Sequence, residues 1–367
     1  MYTINCIIIY HISIFKKTRH EAMSMKEEAK KIYQESIVID GHFAIELAMP
    51  GPLEEKWKLV DSYADAGVTS VTLSLANDES KLEETLGYLA LVRQHIFSHP
   101  EKYILAVTKE DILQAKKENK LAIRLMFQGA GPLSMNIHLA EIFFHLGISS
   151  MIVAYNIRTA MGDGCIETVD AGLSHLGKNL IHAMNKIGMI IDSAHSSINT
   201  IMGSIETSSL PVVISHACAY GINPLPRNIK DEQIKAIAKS GGIIGVNGIG
   251  LLLGDKTASI KKYVDHIDYI VNLVGIKHVA IGLDHLYFPD RFNEFMKNQP
   301  ITNPSAYGKM VDPTMLNCIK PNQIIDIVEE LLERKYTESD IQAILGENIL
   351  RVIDQNQKNA NSSGNIL

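Results

Sequence analysis

Histidines and carboxylates in this sequence gather at one kind of place, the last residue or two of a short apolar run. His42 closes Ile37–His42, and Gln128 lies near the end of Ala122–Gly129. Tyr155-Asn156 close Ser149–Asn156, His195 closes Gly188–His195, and Ser215-His216 fall near the end of Pro211–Cys218. Asp284-His285 end the run His278–His285. Three or four imidazoles and a carboxylate brought to one rim form the ligand set of a divalent metal of zinc type. A single histidine after an apolar run is more often a satisfied rim or core residue. His195 and His216 carry more weight together, because Ile191-Asp192-Ser193-Ala194-His195 and Val213-Ile214-Ser215-His216 end successive runs in matching context. Asp284 follows the apolar Val279–Leu283, where an unpaired carboxylate is costly, so a metal, a water or an arginine must accompany it. His95, His99 and His182 fall on helical or loop stretches and are expected to face water.

A shared rim needs strands that all point the same way. Eight runs supply them: Ile37–His42, Val68–Leu75, Ala122–Gly129, Ser149–Asn156, Gly188–His195, Pro211–Cys218, Gly241–Gly248 and His278–His285. Each is short and mostly apolar without strict alternation, the pattern of a parallel strand buried on both faces. Helix-period segments lie between them, among them Ala140–Leu146, Leu176–Lys186, Ile229–Lys239 and Ile260–Val274. Alternating strands and helices predict an α/β fold, and eight such units predict a closed (β/α)8 TIM-type barrel. The competing open, doubly wound sheet would follow its first strand with a Gly-rich phosphate turn. Here that turn reads Asp40-Gly41-His42-Phe43-Ala44, so the barrel is favoured.

No Pro-, Gly- or Ser-rich linker divides the chain, so residues 24–354 are expected to form one barrel domain and 355–367 a polar tail. Residues 1–23 stand apart. Their apolar stretch precedes Lys16, Lys17 and Arg19, the reverse of a signal peptide's charge order, and is too short to span a bilayer. They read as an extension from an upstream start, outside the fold.

At 46% hydrophobic and 21% charged residues, the 367-residue chain is neither disordered nor fibrous. A net charge of −6, with no basic run longer than a pair, argues against nucleic acid and membrane as partners. The four cysteines, Cys6, Cys165, Cys218 and Cys318, show no metal or redox spacing and read as reduced thiols of a cytoplasmic protein. The acidic, glycine-containing loop Arg158–Asp170 is expected to form a lid over the barrel mouth, with a calcium loop as the weaker reading. Cys165 within it has no neighbouring base in sequence to make it a nucleophile.

From about Ile37 to Val352 the chain resembles the membrane (renal) dipeptidases, within the metal-dependent amidohydrolase-type barrels. The resemblance is carried by Asp40-Gly41-His42, Gly172-Leu173-Ser174, Met184–Met189, Asp192-Ser193-Ala194-His195 and Ser215-His216. It continues through Pro226-Arg227-Asn228, Gly241-Gly242, Asp265–Tyr269, Gly282-Leu283-Asp284 and Gly346-Glu347-Asn348. It implies a site of two zinc ions, held by His-x-Asp from the first strand, a bridging Glu from the third, and one His each from the fifth and sixth. Here the Asp position is Ala44 and the bridging Glu position is Gln128. Tyr155 stands where the family has a carbonyl-binding His, and a second Asp and a Gly after Asp284 are replaced by Leu286 and Tyr287.

Losing two carboxylates leaves too little negative charge for two divalent cations side by side. One Zn2+ is therefore expected, held by His195 and His216 with Gln128 or a water, while the other position, with His42, is empty or weak. Glu46, close after His42, is a candidate replacement for the missing Asp. The resemblance then implies hydrolysis of a dipeptide or a related small carboxylated amide by a metal-activated water. Asp284 would act as general acid and base, Tyr155 as oxyanion donor and Arg227 as the grip on the substrate carboxylate, with Asn156 and Asn228 also against substrate. Two alternatives stand beside it: a catalytically silent binding protein, or a same-fold enzyme tailoring a peptide-derived metabolite. A homodimer is compatible with the family.

Overall fold

A computed structural model of the protein describes residues 25–46, 51–286 and 313–362. The expected extension, residues 1–23, lies outside the described residues. Nine parallel strands alternate with helices: β1 (Ile39–Ala44), β2 (Ser70–Ser74), β3 (Tyr103–Leu105), β4 (Leu121–Phe127), β5 (Ile148–Ile152), β6 (Ile190–Asp192), β7 (Val212–Ala217), β8 (Ile244–Val246) and β9 (Val279–Ile281). Eight of them follow one another in the order β1-β2-β4-β5-β6-β7-β8-β9, the ring of a nearly closed (β/α)8 barrel. All eight strands expected from sequence are present. The short β3, which the sequence did not announce, pairs only with the first residues of β4, outside the ring. Most of the strands are shorter than their apolar runs, because the chain leaves the ladder before the run ends; β1 instead extends two residues past its run, to Ala44.

The helices close the outside of the barrel by side-chain capping and apolar stripes. Helix His175–Ile187 is capped by Ser174, whose hydroxyl accepts the Gly177 N–H at 3.0 Å, and stops at Gly188 with φ +77°. Helices Ile198–Thr207 and Ile260–Val274 begin in the same way on Ser197 and Ser259. Their buried residues recur at helical spacing, as in Leu180, Ile181, Met184 and Ile187, and join the strands in one continuous core. No helix among the described residues is long and apolar enough to cross a membrane.

The seam between β9 and β1 is bridged near the mouth. The Asp284 N–H donates to the His42 carbonyl at 3.2 Å, and Asp40 Oδ1 accepts the Leu283 N–H at 2.8 Å. At the opposite end, helix Asn348–Ser362 presses Ile349, Val352 and Ile353 against Ile39, Ala122, Ile190, Val213 and Ala280. The helix continues into the segment expected to be a polar tail. Asn356 is buried there, and Gln357 Nε2 donates to the Val107 carbonyl at 2.7 Å. The apolar stripe of this helix ends at Ile353, and the amides of Asn356 and Gln357 carry its buried face one turn further.

Asn348 pins this helix to the barrel floor, its buried Nδ2 donating to the carbonyls of Ile276 (2.9 Å) and Val279 (2.8 Å). Asn348→Ala is expected to lower the unfolding free energy by about 2–3 kcal/mol, because two acceptors lose their donor. Urea titration of the variant against the parent protein checks this.

Candidate metal centre

The ladder is interrupted where the site begins. The β1–β2 register shifts between Asp40 and Phe43, and the β7–β8 register shifts between Ile214 and Ala217. His42 and His216 therefore sit at irregularities that re-aim a side chain. His195, Asn156 and Asp284 take left-handed backbone conformations, with φ of 63°, 63° and 52°, just beyond their strands. For these residue types that conformation carries strain which the surrounding structure must impose.

Four groups converge as a result. The ligand atoms of His42, His216 and Asp284 lie within 4.8 Å of one another. His195 Nε2 is 2.9 Å from His216 Nε2, and the rings of His42 and His216 stack at 3.8 Å. Two nitrogens sharing a tetrahedral zinc stand about 3.3 Å apart, so the two Nε2 atoms nearly span one cation. His42 Nε2 is buried with no hydrogen-bond partner, a nitrogen that burial leaves in need of one. The donor set of imidazole nitrogens and a carboxylate fits a zinc-type ion.

Neighbouring groups fix the tautomers that such an ion needs. A proton on His216 Nδ1 is received by Ser215 Oγ at 2.7 Å. On His42, a proton on Nδ1 is received by Asp284 Oδ1 at 3.0 Å, which leaves Nε2 as the free base. Asp284 Oδ2 accepts from Asn247 Nδ2, also at 3.0 Å. His195 Nδ1 lies 2.8 Å from Asn156 Oδ1 and 3.1 Å from Arg227 Nε. Donation to Asn156 frees Nε2 for metal, whereas donation from Arg227 selects the opposite tautomer.

Burial, helped by the charge of Arg227, holds His195 well below the usual histidine pKa, and burial with the charge of His42 does the same for His216. Burial alone would raise the Asp284 carboxyl, but the neighbouring imidazoles and Arg227 outweigh it and hold it well below the usual carboxylate range.

The membrane dipeptidase family, peptidase family M19, matches residues 26–303. The chain belongs to this family. It is 24% identical over 355 residues to Dipeptidase 3 of Rattus norvegicus, across 90% of this chain and 67% of that protein. Dipeptidase tcpJ of Claviceps purpurea is 23% identical over 342 residues, across 90% of this chain and 75% of its own length. Among solved structures, an amidohydrolase from Pseudomonas aeruginosa superposes with a TM-score of 0.79 at 27% identity, covering 90% of this chain and 99% of that one.

Within this dipeptidase-family barrel, the residues expected to meet substrate are also tied into the protein itself. Arg227 is only 2% exposed: its Nε faces His195 and its Nη2 donates to the His216 carbonyl at 2.7 Å, so it braces the histidines. Its Nη1 is buried without a partner. Asn156 is wholly buried behind His195, its Oδ1 2.8 Å from His195 Nδ1. Asn228 is tied down by its Nδ2 to the carbonyls of Asn223 and Leu252, both at 2.9 Å. Tyr155 lies flat against His195, ring centroids 4.1 Å apart, and its backbone N–H donates to Asp78.

Gln128 gives its Nε2 to Glu46 Oε1 at 2.7 Å. Glu46 is outside the three-ligand group, its oxygens taken by Ser74, Asn77 and Gln128. The Arg158–Asp170 loop is no calcium site either. Asp163 pairs with Arg158 through both oxygens, and Asp170 accepts from Ser197 and the Asn199 N–H. Burial pushes the Cys165 thiol up to about 11, which keeps it protonated. His95 does not simply face water, because it stacks on Trp57 at 3.9 Å. The partners that went unseen in the sequence are Asn247 and the two aspartates Asp40 and Asp192. Asp40 and Asp192 carried a signal: each precedes a histidine by two or three residues.

Because burial keeps His195 and His216 neutral well below pH 6.5, metal binding should lose little strength on acidification. Two ordinary imidazoles would lose roughly a hundredfold in affinity between pH 7 and 5.5. Zinc titration across that range should show a loss well short of this, read by chelator competition.

Proposed function

We propose that the protein is a metal-dependent hydrolase that cleaves the amide bond of dipeptides or a closely related small carboxylated amide, using one zinc-type ion. The observation that carries this reading is the 2.9 Å approach of the Nε2 atoms of His195 and His216, with His42 and Asp284 alongside. A bound cation of this type supplies a Lewis acid and acidifies a water. The neutral rings of His195 and His216 hold it, and His42 Nε2 is the third nitrogen available.

Asp284, a carboxylate throughout the neutral range, accepts the proton released by the attacking water and returns it to the leaving amine. Asn247 and His42 keep that carboxylate in place. Arg227 Nη1, the unpartnered edge of a buried guanidinium, is the group that receives the substrate carboxylate. Engagement there draws Arg227 from His195 and favours the tautomer in which Nδ1–H faces Asn156. Tyr155, against the His195 ring, borders the position of the developing oxyanion.

A second reading, a catalytically silent relative that binds a small carboxylated molecule, is favoured by one observation. Gln128, at the position of the expected bridging Glu, donates to Glu46, the candidate replacement for the expected Asp, so the two satisfy each other. A dipeptide panel with added zinc, manganese or cobalt separates the two. Turnover in any metal supports hydrolysis, and bound metal without turnover supports the silent reading.

Two variants sharpen the assignment. The double substitution His195→Ala and His216→Ala should remove about one equivalent of zinc per chain by elemental analysis. Asp284→Asn should retain zinc while kcat falls by about 10²–10⁴, the usual worth of a general acid–base. Unchanged kcat would refute the role given to Asp284.

A further inference from the structure

Barrel interiors are ordinarily packed with branched apolar side chains. This one contains two opposite charges with unmet hydrogen bonds. Arg124, on β4, is 3% exposed; its Nη2 donates to Ser149 Oγ at 3.0 Å, and its Nη1 has no partner. Asp192, at the end of β6, is 1% exposed; its Oδ1 accepts the N–H groups of Ala194 (3.0 Å) and Ser215 (3.1 Å), and its Oδ2 has no partner. Both residues line the same cavity of about 40 Å³, together with Thr72, Ser150 and Ser215, above a floor of Ile349 and Val352. Gly41 and Gly245 border it as well, so no side chain from those positions fills the space.

Leaving a buried guanidinium and a buried carboxyl group each short of a hydrogen bond is expensive, and burial pushes the Asp192 carboxyl up against the hydrogen bonds it accepts from Ser215 and Ala194. What relieves both must accept from Arg124 and donate to Asp192. An anion satisfies the first and is repelled by the second, and a metal cation does the reverse. Water does both, and one water needs only about 10–15 Å³ of such volume, so about two or three fit. Burial pulls Arg124 down only to about 10, so it is a cation at neutral pH.

We propose that this interior cavity is a built water site, in which one to three ordered waters bridge Arg124 Nη1 to Asp192 Oδ2, and that the hydrated pair positions the metal-binding histidines. The route is short. Asp192 Oδ1 ties the Ala194 N–H, next to His195, to the Ser215 N–H, next to His216, and Ser215 Oγ receives Nδ1 of His216. Arg124 and Asp192 are thus positioning residues, acting on metal through the backbone that carries its ligands. The positioning half of this proposal rests on the metal reading above; the water site does not.

A double-mutant cycle on the full chain tests it, with urea midpoints read in metal-free protein and zinc affinity read by chelator competition. Arg124→Met and Asp192→Asn should each lower the midpoint and weaken zinc at least about tenfold, since each leaves one buried group stranded. The double variant should recover much of both losses. Additive losses, or a silent Asp192→Asn, would overturn the proposal. A high-resolution crystal structure of the unaltered chain keeps the test open should a variant not fold. Discrete water between Arg124 and Asp192 is the expected result, and a dry cavity, a direct ion pair or a bound ion there overturns it. Should the unaltered chain bind no zinc, the metal reading fails, while the midpoints and the cavity density still decide the water site.

Discussion

Two strand ends must break from the sheet in a fixed way for any of this chemistry to assemble, and in both places an aspartate holds the break. Asp40 Oδ1 accepts the N–H of His42 at 3.3 Å and of Leu283 at 2.8 Å, while Tyr63 donates to its Oδ2 at 3.0 Å. Asp192 does the equivalent between β6 and β7. A histidine left in the regular ladder would stand at a height and angle dictated by the pleat. Once its own N–H, as for His42, or that of the residue before it, as for His195 and His216, is turned onto a carboxylate, the ladder loses a bond and the ring is carried over the mouth. Burial raises the Asp40 carboxyl to about 6, so the clamp is a carboxylate at neutral pH and partly protonated in mild acid. In this chain the histidines and the aspartates that precede them form one device.

Against the ligand set that the resemblance implies, Ala44 and Gln128 stand in place of two carboxylates, while a carboxyl group is present two residues after Ala44: Glu46, bonded to Ser74, Asn77 and Gln128. Lys56 reaches the Glu46 carbonyl at 2.5 Å and is itself only 2% exposed. Burial pulls Lys56 down to about 8 against the opposing pull of Glu46, whose own carboxyl burial pushes up. A carboxyl group that is hydrogen-bonded three times and faced by a lysine contributes less to holding a second divalent ion than a free bridging carboxylate, which favours the one-metal reading proposed above.

The fold was legible because parallel strands buried on both faces leave an unmistakable succession of short apolar runs, each followed by an amphipathic segment. The ends of those runs also located His42, His195, His216 and Asp284 at one rim. What the sequence withheld is of another kind. The three-residue β3 is too short to create a pattern. Whether Arg227 faces substrate or the histidines depends on a torsion, and Pro224 and Pro226 around it reveal only a turn. Asn156 and Asn228 share a residue type and adjoin the site, but one backs His195 while the other ties two loops, a difference of tertiary geometry alone. Arg124 lies in an apolar run, Leu121–Phe127, and nothing local marks it as facing the barrel interior.

The contacts of Arg227 give the site a logic that a ligand inventory misses. One nitrogen, His195 Nδ1, is approached by a donor from Arg227 and by the acceptor Oδ1 of Asn156, and it can satisfy only one of them. Fixed to Arg227, His195 must carry its proton on Nε2 and point it at His216, which closes the pair on itself. Fixed to Asn156, both Nε2 atoms present lone pairs to the same volume. A cation and a substrate carboxylate pull in the same direction across this choice, the first by requiring two lone pairs, the second by competing for the guanidinium. On the proposed hydrolase reading, metal and substrate binding would be coupled through a single proton on one imidazole, with the buried, unpartnered Nη1 of Arg227 as the atom that would meet the carboxylate.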